Sequence, residues 1–426
     1  DGRPVAHSGY CTDVWFEEAI KFIEKDPEEP FLAYIATNAP HNPYLVAERY
    51  AEPYRENPEV PEPAFYGMIA NIDENFGRLR SALSRLGIED DTILIFMTDN
   101  GSSGGCTLDG AEFPASGYNA GMRGKKGSYY DGGHRVPFFL RWPSGGLQGA
   151  RDIAEMSLHV DVLPTLIDLC GLEPPGGAGF DGESLAPLLR GETDRLPGDR
   201  VQFLQYRQST TPPEKWGNAV MTRDWRLIRG EELYRIADDP GQRRDVAGEH
   251  PDVLERLRRA HEDWWAEISP DLEAYCPITI GSDAENPTRL DAMDVMGDVA
   301  WHQTHIALAR RSTGRWTVNV DRPGRYRFSL RRWPAELGLP LGERIPPEEA
   351  RTLIYNDGTG TCNAVTPSRA RLKIFDREHM VPVSAAETEA VFDVEIEKRG
   401  VSCLDAWFAD ENGEEQGAYY VYIERL

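Results

Sequence analysis

Asp99 and Asn100 close a run that is apolar without interruption from Ile93 to Met97, and Gly101 follows them. A carboxylate beside a carboxamide offers the oxygen donors that a hard divalent cation takes. Gly101 lets the backbone turn away without a side chain crowding such a site. The same triplet is also ordinary turn chemistry. Some twenty residues later, Arg123-Gly-Lys-Lys-Gly-Ser-Tyr-Tyr-Asp-Gly-Gly-His-Arg-Val-Pro137 sets Arg123, Lys125 and Lys126 among glycines and adds His134 and Arg135. Glycines allow close backbone approach to a ligand, and the cations suit an anionic oxygen cluster. By spacing alone, a solvated basic loop reads the same way. A third group is His41, held between Pro40 and Pro43 just after the apolar stretch Pro30-Phe-Leu-Ala-Tyr-Ile-Ala-Thr37. A histidine at a strand end is a candidate for proton transfer or anion contact, and a structural histidine is the plainer alternative.

The elements that must position these groups follow from the apolar pattern. Segments 30–37, 92–98 and 136–141, each built on an apolar run, read as buried strands, as in parallel sheets covered by helices. Ligands of such sheets bind beyond the carboxyl ends of the strands, which is where Asp99, Asn100 and His41 fall. Trp15, Ala19, Ile20 and Ile23 mark one face of a helix over 12–26 that Pro27 ends. Phe65, Met68, Ile69, Ile72, Phe76, Leu79, Leu83 and Leu86 give a longer amphipathic helix closed by Gly87. The strand–helix alternation predicts an α/β fold with a helix-covered, mostly parallel sheet.

Taken together, the motifs resemble the sulfatase family of the alkaline-phosphatase superfamily. The resemblance is carried by Asn38-Ala-Pro-His41, Thr98-Asp-Asn-Gly101, and Gly124-Lys-Lys-Gly-Ser-Tyr-Tyr-Asp-Gly-Gly133 running into Arg135-Val-Pro137. It continues through His159-Val-Asp-Val-Leu-Pro-Thr-Leu166, and Glu232-Leu-Tyr234 with Asp239-Pro240 looks like the family's C-terminal subdomain. It covers about the first two thirds of the chain, in the family's order. The resemblance implies that Asp99 and Asn100 are ligands of a divalent cation, usually calcium. It implies that Lys126 contacts the sulfate, since the family's lysine stands five residues before the acidic residue of Glu/Asp-Gly-Gly, here Asp131. His41 matches the histidine that contacts the sulfate or the leaving group. Asp131 departs from the family's usual glutamate. His159 and Asp161 read instead as a helix start, with Pro164 in the first turn.

One expected feature is missing. Sulfatases convert the cysteine or serine of Cys/Ser-x-Pro-x-Arg to formylglycine, and none of Cys11, Cys106, Cys170, Cys276, Cys362 and Cys403 has that context. The family's Asp-Asp metal pair and Gly-Lys-x-His motif are also missing, and all three precede the His41 segment in the family. The expectation is therefore the C-terminal part of a longer sulfuric ester hydrolase, catalytically incomplete as it stands, with formylglycine upstream of residue 1. Its substrates would be aryl or carbohydrate sulfate esters. A phosphatase, phosphodiesterase or phosphonate monoester hydrolase of the same superfamily is the alternative, because fold alone does not separate these chemistries. A non-catalytic anion-binding scaffold is a third reading, but such a scaffold has no need of His41, Asp99, Asn100 and Lys126 together.

Bulk properties narrow the partners. A formal net charge of −25 over 426 residues argues against nucleic acid and anionic membrane surfaces. An anionic substrate must then be drawn by a local field, and 123–135 is the obvious source. No apolar run approaches transmembrane length. Six scattered cysteines show neither metal-binding spacing nor a dense disulfide framework and leave the compartment open. The family resemblance implies a periplasmic or secreted protein. Oligomeric state is not legible.

Three domains are expected. Residues 1–195 form the catalytic α/β part and 196–275 a small antiparallel sheet with one packed helix. Residues 276–426 form a β-rich accessory domain. In the last of these, Trp316-Thr-Val-Asn-Val320 and Tyr326-Arg-Phe-Ser-Leu330 alternate around an Arg-Pro-Gly turn, a hairpin-like pattern. With further alternation at 392–396 and 420–423, this predicts an antiparallel β-sandwich. Trp301, Trp333 and Trp407 read either as core residues or as platforms for sugar rings.

Overall fold

The structure is a computed structural model and describes all residues except 1–3, 148, 150, 175, 178, 208–210, 299, 301–302, 313 and 346–361. The chain forms two compact units, Val5–Gln208 with Pro212–Leu272, and Glu273–Leu426 with the short pieces Asp1–Pro4 and Ser209–Thr211.

The first unit is mixed α/β. It opens with helices α1 (Cys11–Lys25), α2 (Glu48–Arg55) and α3 (Pro63–Arg85). Helix α3 starts where physics favours a start: Pro63 occupies the first turn and the Glu62 carboxylate accepts the Ala64 N–H at 3.3 Å. Gly87, at φ +75°, lets the chain leave it. Phe16, Ile20 and Ile23 of α1 pack on Leu79 and Leu83 of α3, so Ile20 and Ile23 of the expected face are in the core, Phe16 joins them, and Trp15 at its edge is 42% exposed. Asp13 ties the two helices, accepting from the buried amides of Asn71 at 2.9 Å and Asn75 at 2.7 Å.

Four short strands follow: β1 (Leu94–Met97), β2 (Cys106–Leu108), β3 (Pro114–Gly117) and β4 (Phe138–Arg141). Strands β2 and β3 form an antiparallel ribbon, and β1 pairs antiparallel with β4, from Leu94 opposite Arg141 to Met97 opposite Phe138. This corrects the expected mostly parallel sheet: among the described residues of this unit no strands pair in parallel. Residues 31–37 are not a strand. The physical reason lies in burial. Leu32 and Tyr34 are 83% and 88% exposed, and Met97 and Phe139 are exposed as well. The apolar runs are thus covered on one face only, where Phe31, Ile35 and Leu94 meet α1 and α3.

Helix α4 (Val162–Cys170) is preceded by a single turn at His159–Asp161, and α5 (Ala186–Arg190) packs near it. Asp161 is buried, accepts the backbone N–H groups of Leu158 and Glu183, and pairs with Arg200 at 2.7 Å. It is a structural group. Strands β5 (Gln202–Gln205), β6 (Asn218–Met221), β7 (Trp225–Ile228) and β8 (Glu232–Arg235) form an antiparallel sheet in chain order. Helix α6 (Pro251–Ile268) covers it through Leu257, which packs on Val220, Leu227 and Leu233.

The second unit is a β-sandwich. Its strands are β9 (Ile278–Ile280), β10 (Thr288–Asp291), β11 (Trp316–Val320), β12 (Gly324–Arg331), β13 (Arg369–Ile374), β14 (Arg377–Pro382), β15 (Ala390–Ile396), β16 (Gly400–Ala409), β17 (Glu415–Gly417) and β18 (Tyr420–Arg425), with a short helix α7 (Gln303–Ala307). One sheet runs β10-β18-β12-β15 and the other β14-β13-β16-β11-β9. The hairpin-like pattern around Arg322-Pro-Gly324 does not make a hairpin: β11 lies in the second sheet and β12 in the first. Both strands point their apolar alternates, Trp316, Val318 and Val320 and then Tyr326, Phe328 and Leu330, into one shared core. Burying both faces between two sheets outweighs pairing two neighbouring strands. Trp333 is buried in a smaller cluster, Trp407 lies under the Arg371 guanidinium, and Trp301 lies outside the described residues.

Candidate active site

The loops after β1, after residue 37 and before β4 converge on one cavity of about 980 Å³ in the first unit. His41, Asp99, Asn100 and Lys126 all line it, as do Asn38, Tyr118 and Arg135. Lys125 is not among its lining residues. The far wall is apolar, made by Phe65, Ile69, Ile72 and Phe76 of α3 with Leu94 and Phe96 of β1.

Local backbone bonds explain the convergence. The Gly101 N–H donates to Gly133 O at 2.9 Å, and the Lys126 N–H donates to Ser102 O at 3.0 Å. These two bonds lace the Asp99-Asn100 loop to the lysine loop. The approach is so close that a Cβ on Gly101 would stand 1.9 Å from Gly132 O, which only glycine allows. At 37–43, the His41 N–H donates to Asn38 O at 2.9 Å, and Trp15 Nε1 donates to Asn38 Oδ1 at 3.1 Å. The peptide bonds before Pro40 and Pro43 are cis.

The side-chain chemistry is specific at each position. His41 Nδ1 lies 2.7 Å from Asn42 O. A carbonyl only accepts, so Nδ1 carries the proton, and Nε2 is left as the nitrogen for exchange with a ligand. Asn100 Nδ2 donates to Gly101 O at 2.9 Å, which leaves Oδ1 as its open donor atom for a cation. Among the described residues, neither Asp99 nor the Lys126 ammonium has an ion-pair or hydrogen-bond partner for its side chain. An unpaired carboxylate and an unpaired ammonium lining one cavity are a site awaiting counter-charges rather than a closed network.

A divalent cation fits these donors in part. Asp99 and Asn100 Oδ1 are hard oxygen ligands, but calcium takes roughly six to eight. Among the described residues no group of three or more His, Cys, Asp or Glu could hold a metal ion. Any further ligands would have to be water, substrate or other polypeptide.

The partners of Asp131, Arg226 and Gln242, are the part that the sequence pattern did not flag. Asp131 is fully buried and accepts from Arg226 Nε at 2.9 Å. Its backbone N–H donates to Oε1 of the buried Gln242 at 2.7 Å. An arginine inside the apolar strand Trp225-Arg-Leu-Ile228 signals a buried counter-charge, and that signal could have found the pair. His134 lies beside it, and burial pushes its pKa below the ordinary histidine value.

Residues 3–172 match the sulfatase family model, and residues 124–263 match the model described as N-sulphoglucosamine sulphohydrolase, C-terminal. The matched residues, 3–263, are thus similar to the sulfatase family. Among its curated relatives, mouse steryl-sulfatase is 32% identical over 310 residues, covering 65% of this chain and 48% of that protein. The N-acetylgalactosamine-6-O-sulfatase of Bacteroides thetaiotaomicron is 27% identical over 271 residues, covering 58% of this chain and 49% of that one. The chain thus spans about half the length of these relatives. The solved structure of Ps i-CgsB in complex with k-i-k-neocarrahexaose is similar at a TM-score of 0.53 and 25% identity, covering 62% of this chain and 56% of that one. That of BT4656 in complex with its substrate D-glucosamine-2-N,6-O-disulfate gives 0.51 and 18% over 65% and 74%, a likeness of fold.

Proposed function

We propose that this chain provides the charge-stabilising half of a sulfuric ester hydrolase that acts on aryl or carbohydrate sulfate monoesters. The observation that carries the reading is the unpaired Lys126 ammonium in the same cavity as His41, Asp99 and Asn100. A sulfate monoester resists attack because its anionic oxygens repel nucleophiles. Lys126 neutralises one of those oxygens and stabilises the charge that grows on it in the transition state. His41 Nε2, in the imidazolium form, gives its proton to the departing alcohol or phenol oxygen as the S–O bond breaks. Asp99 and Asn100 would hold a divalent cation, most readily calcium, which when bound supplies further charge neutralisation at the sulfuryl group. Arg135 adds a second cation to the cavity wall.

No Cys/Ser-x-Pro-x-Arg sequence occurs within the 426 residues. In this reading the formylglycine nucleophile comes from polypeptide beyond them, and the chain by itself does not turn over. The family's sulfatase relatives support the sulfate branch of the superfamily. The test is hydrolysis of 4-nitrophenyl sulfate by the complete enzyme. Lys126→Ala lowers kcat/KM by on the order of 10²–10³, and Lys125→Ala leaves it little changed. Equal losses in the two variants overturn the lysine assignment, and a preference for 4-nitrophenyl phosphate overturns the sulfatase reading.

A further inference from the structure

The loop that carries Lys126 is fastened at both ends to the small antiparallel sheet. At its start, the Arg123 guanidinium lies 3.8 Å over the Tyr130 ring and donates to Tyr234 Oη at 2.9 Å. The Glu232 carboxylate accepts from Tyr130 Oη at 2.8 Å and Tyr234 Oη at 2.5 Å. At its end, Asp131 binds Arg226 of β7, and Gln242 caps the Asp131 N–H from the turn after Asp239-Pro240. Arg226 is itself fixed, since its Nη1 donates to Thr222 O at 2.5 Å and to Trp225 O at 3.0 Å. Arg226 and Asp131 are 7% and 0% exposed, so the pair is held in a low-dielectric setting where neither partner is replaced by water.

We propose that Arg226 is a positioning residue that sets the Lys126 and Asp99-Asn100 loops through Asp131. The path is short and continuous. Asp131 opens the single turn Asp131–Gly133, whose Gly132 N–H donates to Arg123 O at 2.8 Å and whose Gly133 O accepts the Gly101 N–H. Arg135, on the cavity wall, donates its backbone N–H to Asp131 O at 2.7 Å. The buried ion pair thus anchors a turn that touches both loops of the site, while Arg226 is not among the residues lining the cavity. The small sheet is then the brace of the site rather than an appendage. The consequence for substrate rests on Lys126 being the anion contact, but the bracing itself does not.

The experiment uses the full chain with Arg226→Gln, Arg226→Lys and the double variant Asp131→Asn/Arg226→Gln, which leaves no buried unpaired charge. Hydrogen exchange is read by NMR at Gly101, Lys126 and Gly132, with α3 and β5–β8 as controls, and inorganic sulfate binding is read by calorimetry. Arg226→Gln is expected to raise exchange at the three amides roughly tenfold or more while the controls stay protected. Arg226→Lys, which keeps the charge, recovers part of that protection. If Arg226→Gln does not fold, the double variant is read in the same way. Unchanged exchange at the three amides, or an equal rise across the whole small sheet, overturns the proposal. A wild-type chain that binds no sulfate counts against the Lys126 assignment, whereas the exchange data still decide the bracing role.

Discussion

At the residue scale, the site rests on a few polar atoms left open in an otherwise satisfied backbone. Asp99 and Asn100 Oδ1 are two such atoms, and Asp99→Ala is expected to weaken calcium binding to the chain by about tenfold or more, as loss of one charged ligand from a weak oxygen site does. Calcium titration calorimetry on the wild type and the variant checks this, and unchanged affinity removes Asp99 from the ligand set. His41, Asp99, Asn100 and Lys126 were legible because each follows an apolar run or sits among glycines and prolines, where a polar side chain has a local reason to stand out. The choice of Lys126 over Lys125 came from the resemblance to the sulfatase family, whose lysine stands five residues before the acidic residue, here Asp131; Lys126 lines the cavity and Lys125 does not. Arg226 carried a local signal, a charge inside an apolar strand, but its partner lies 95 residues away and is not named by any local pattern; Gln242, 111 residues from the same partner, carried none.

At the element scale, tight backbone approaches decide how the loops meet. Gly101→Ala places a methyl group against Gly132 O, and the neighbour is backbone that cannot swing aside. The expected cost is about 1–3 kcal/mol with a loosened site, read as a lower thermal midpoint and weaker calcium binding; an unchanged midpoint contradicts the packing described. His261, fully buried, and His134, largely buried, both contribute to the acid response of the same unit. Burial lowers the pKa of His134 and of His261, which stacks on Trp216 at 3.9 Å. Both groups bind a proton more readily in the unfolded chain, so their contribution to stability is fully present above the ordinary value of 6.5 and is lost as the pH falls below it. His261→Phe is therefore expected to flatten the acid side of a midpoint-against-pH curve, and a curve of unchanged steepness rules His261 out as its source. Helices α1 and α3 and strands β1 and β4 could be read from periodicity within a few residues. The mostly parallel sheet could not: the apolar run at 31–37 carries no information about which neighbour, if any, bonds to its edges. The strand pair β11 and β12 failed for a related reason, since alternation reports which face is buried but not which sheet the strand joins.

At the scale of the whole molecule, the chain forms two compact units. The family match at residues 3–263 falls within the boundaries of the first unit but for Pro4, residue 3 and 209–211, and the sandwich lies beyond it. The sandwich core is closed on its own side chains, with Phe328 and Tyr326 fully buried among Trp316, Phe392 and Phe408. Phe328→Ala is expected to cost about 3–5 kcal/mol and to shift the unfolding of residues 273–426 without altering calcium binding at Asp99. Scanning calorimetry paired with calcium titration separates the two effects, and loss of calcium binding in that variant contradicts independent units. The strongly acidic composition makes the local cations matter: against a formal net charge of −25, an anion is drawn to this cavity by Lys126 and Arg135 in its wall.

The proposed cavity holds a sulfate ester between Lys126 and a cation at Asp99 and Asn100. The deciding measurement is calorimetric binding of 4-nitrophenyl sulfate to the chain, with and without calcium. Binding is expected to require calcium, to fall by about tenfold or more in Lys126→Ala and to survive in Lys125→Ala. Binding that is indifferent to calcium and equal in the two lysine variants would contradict it.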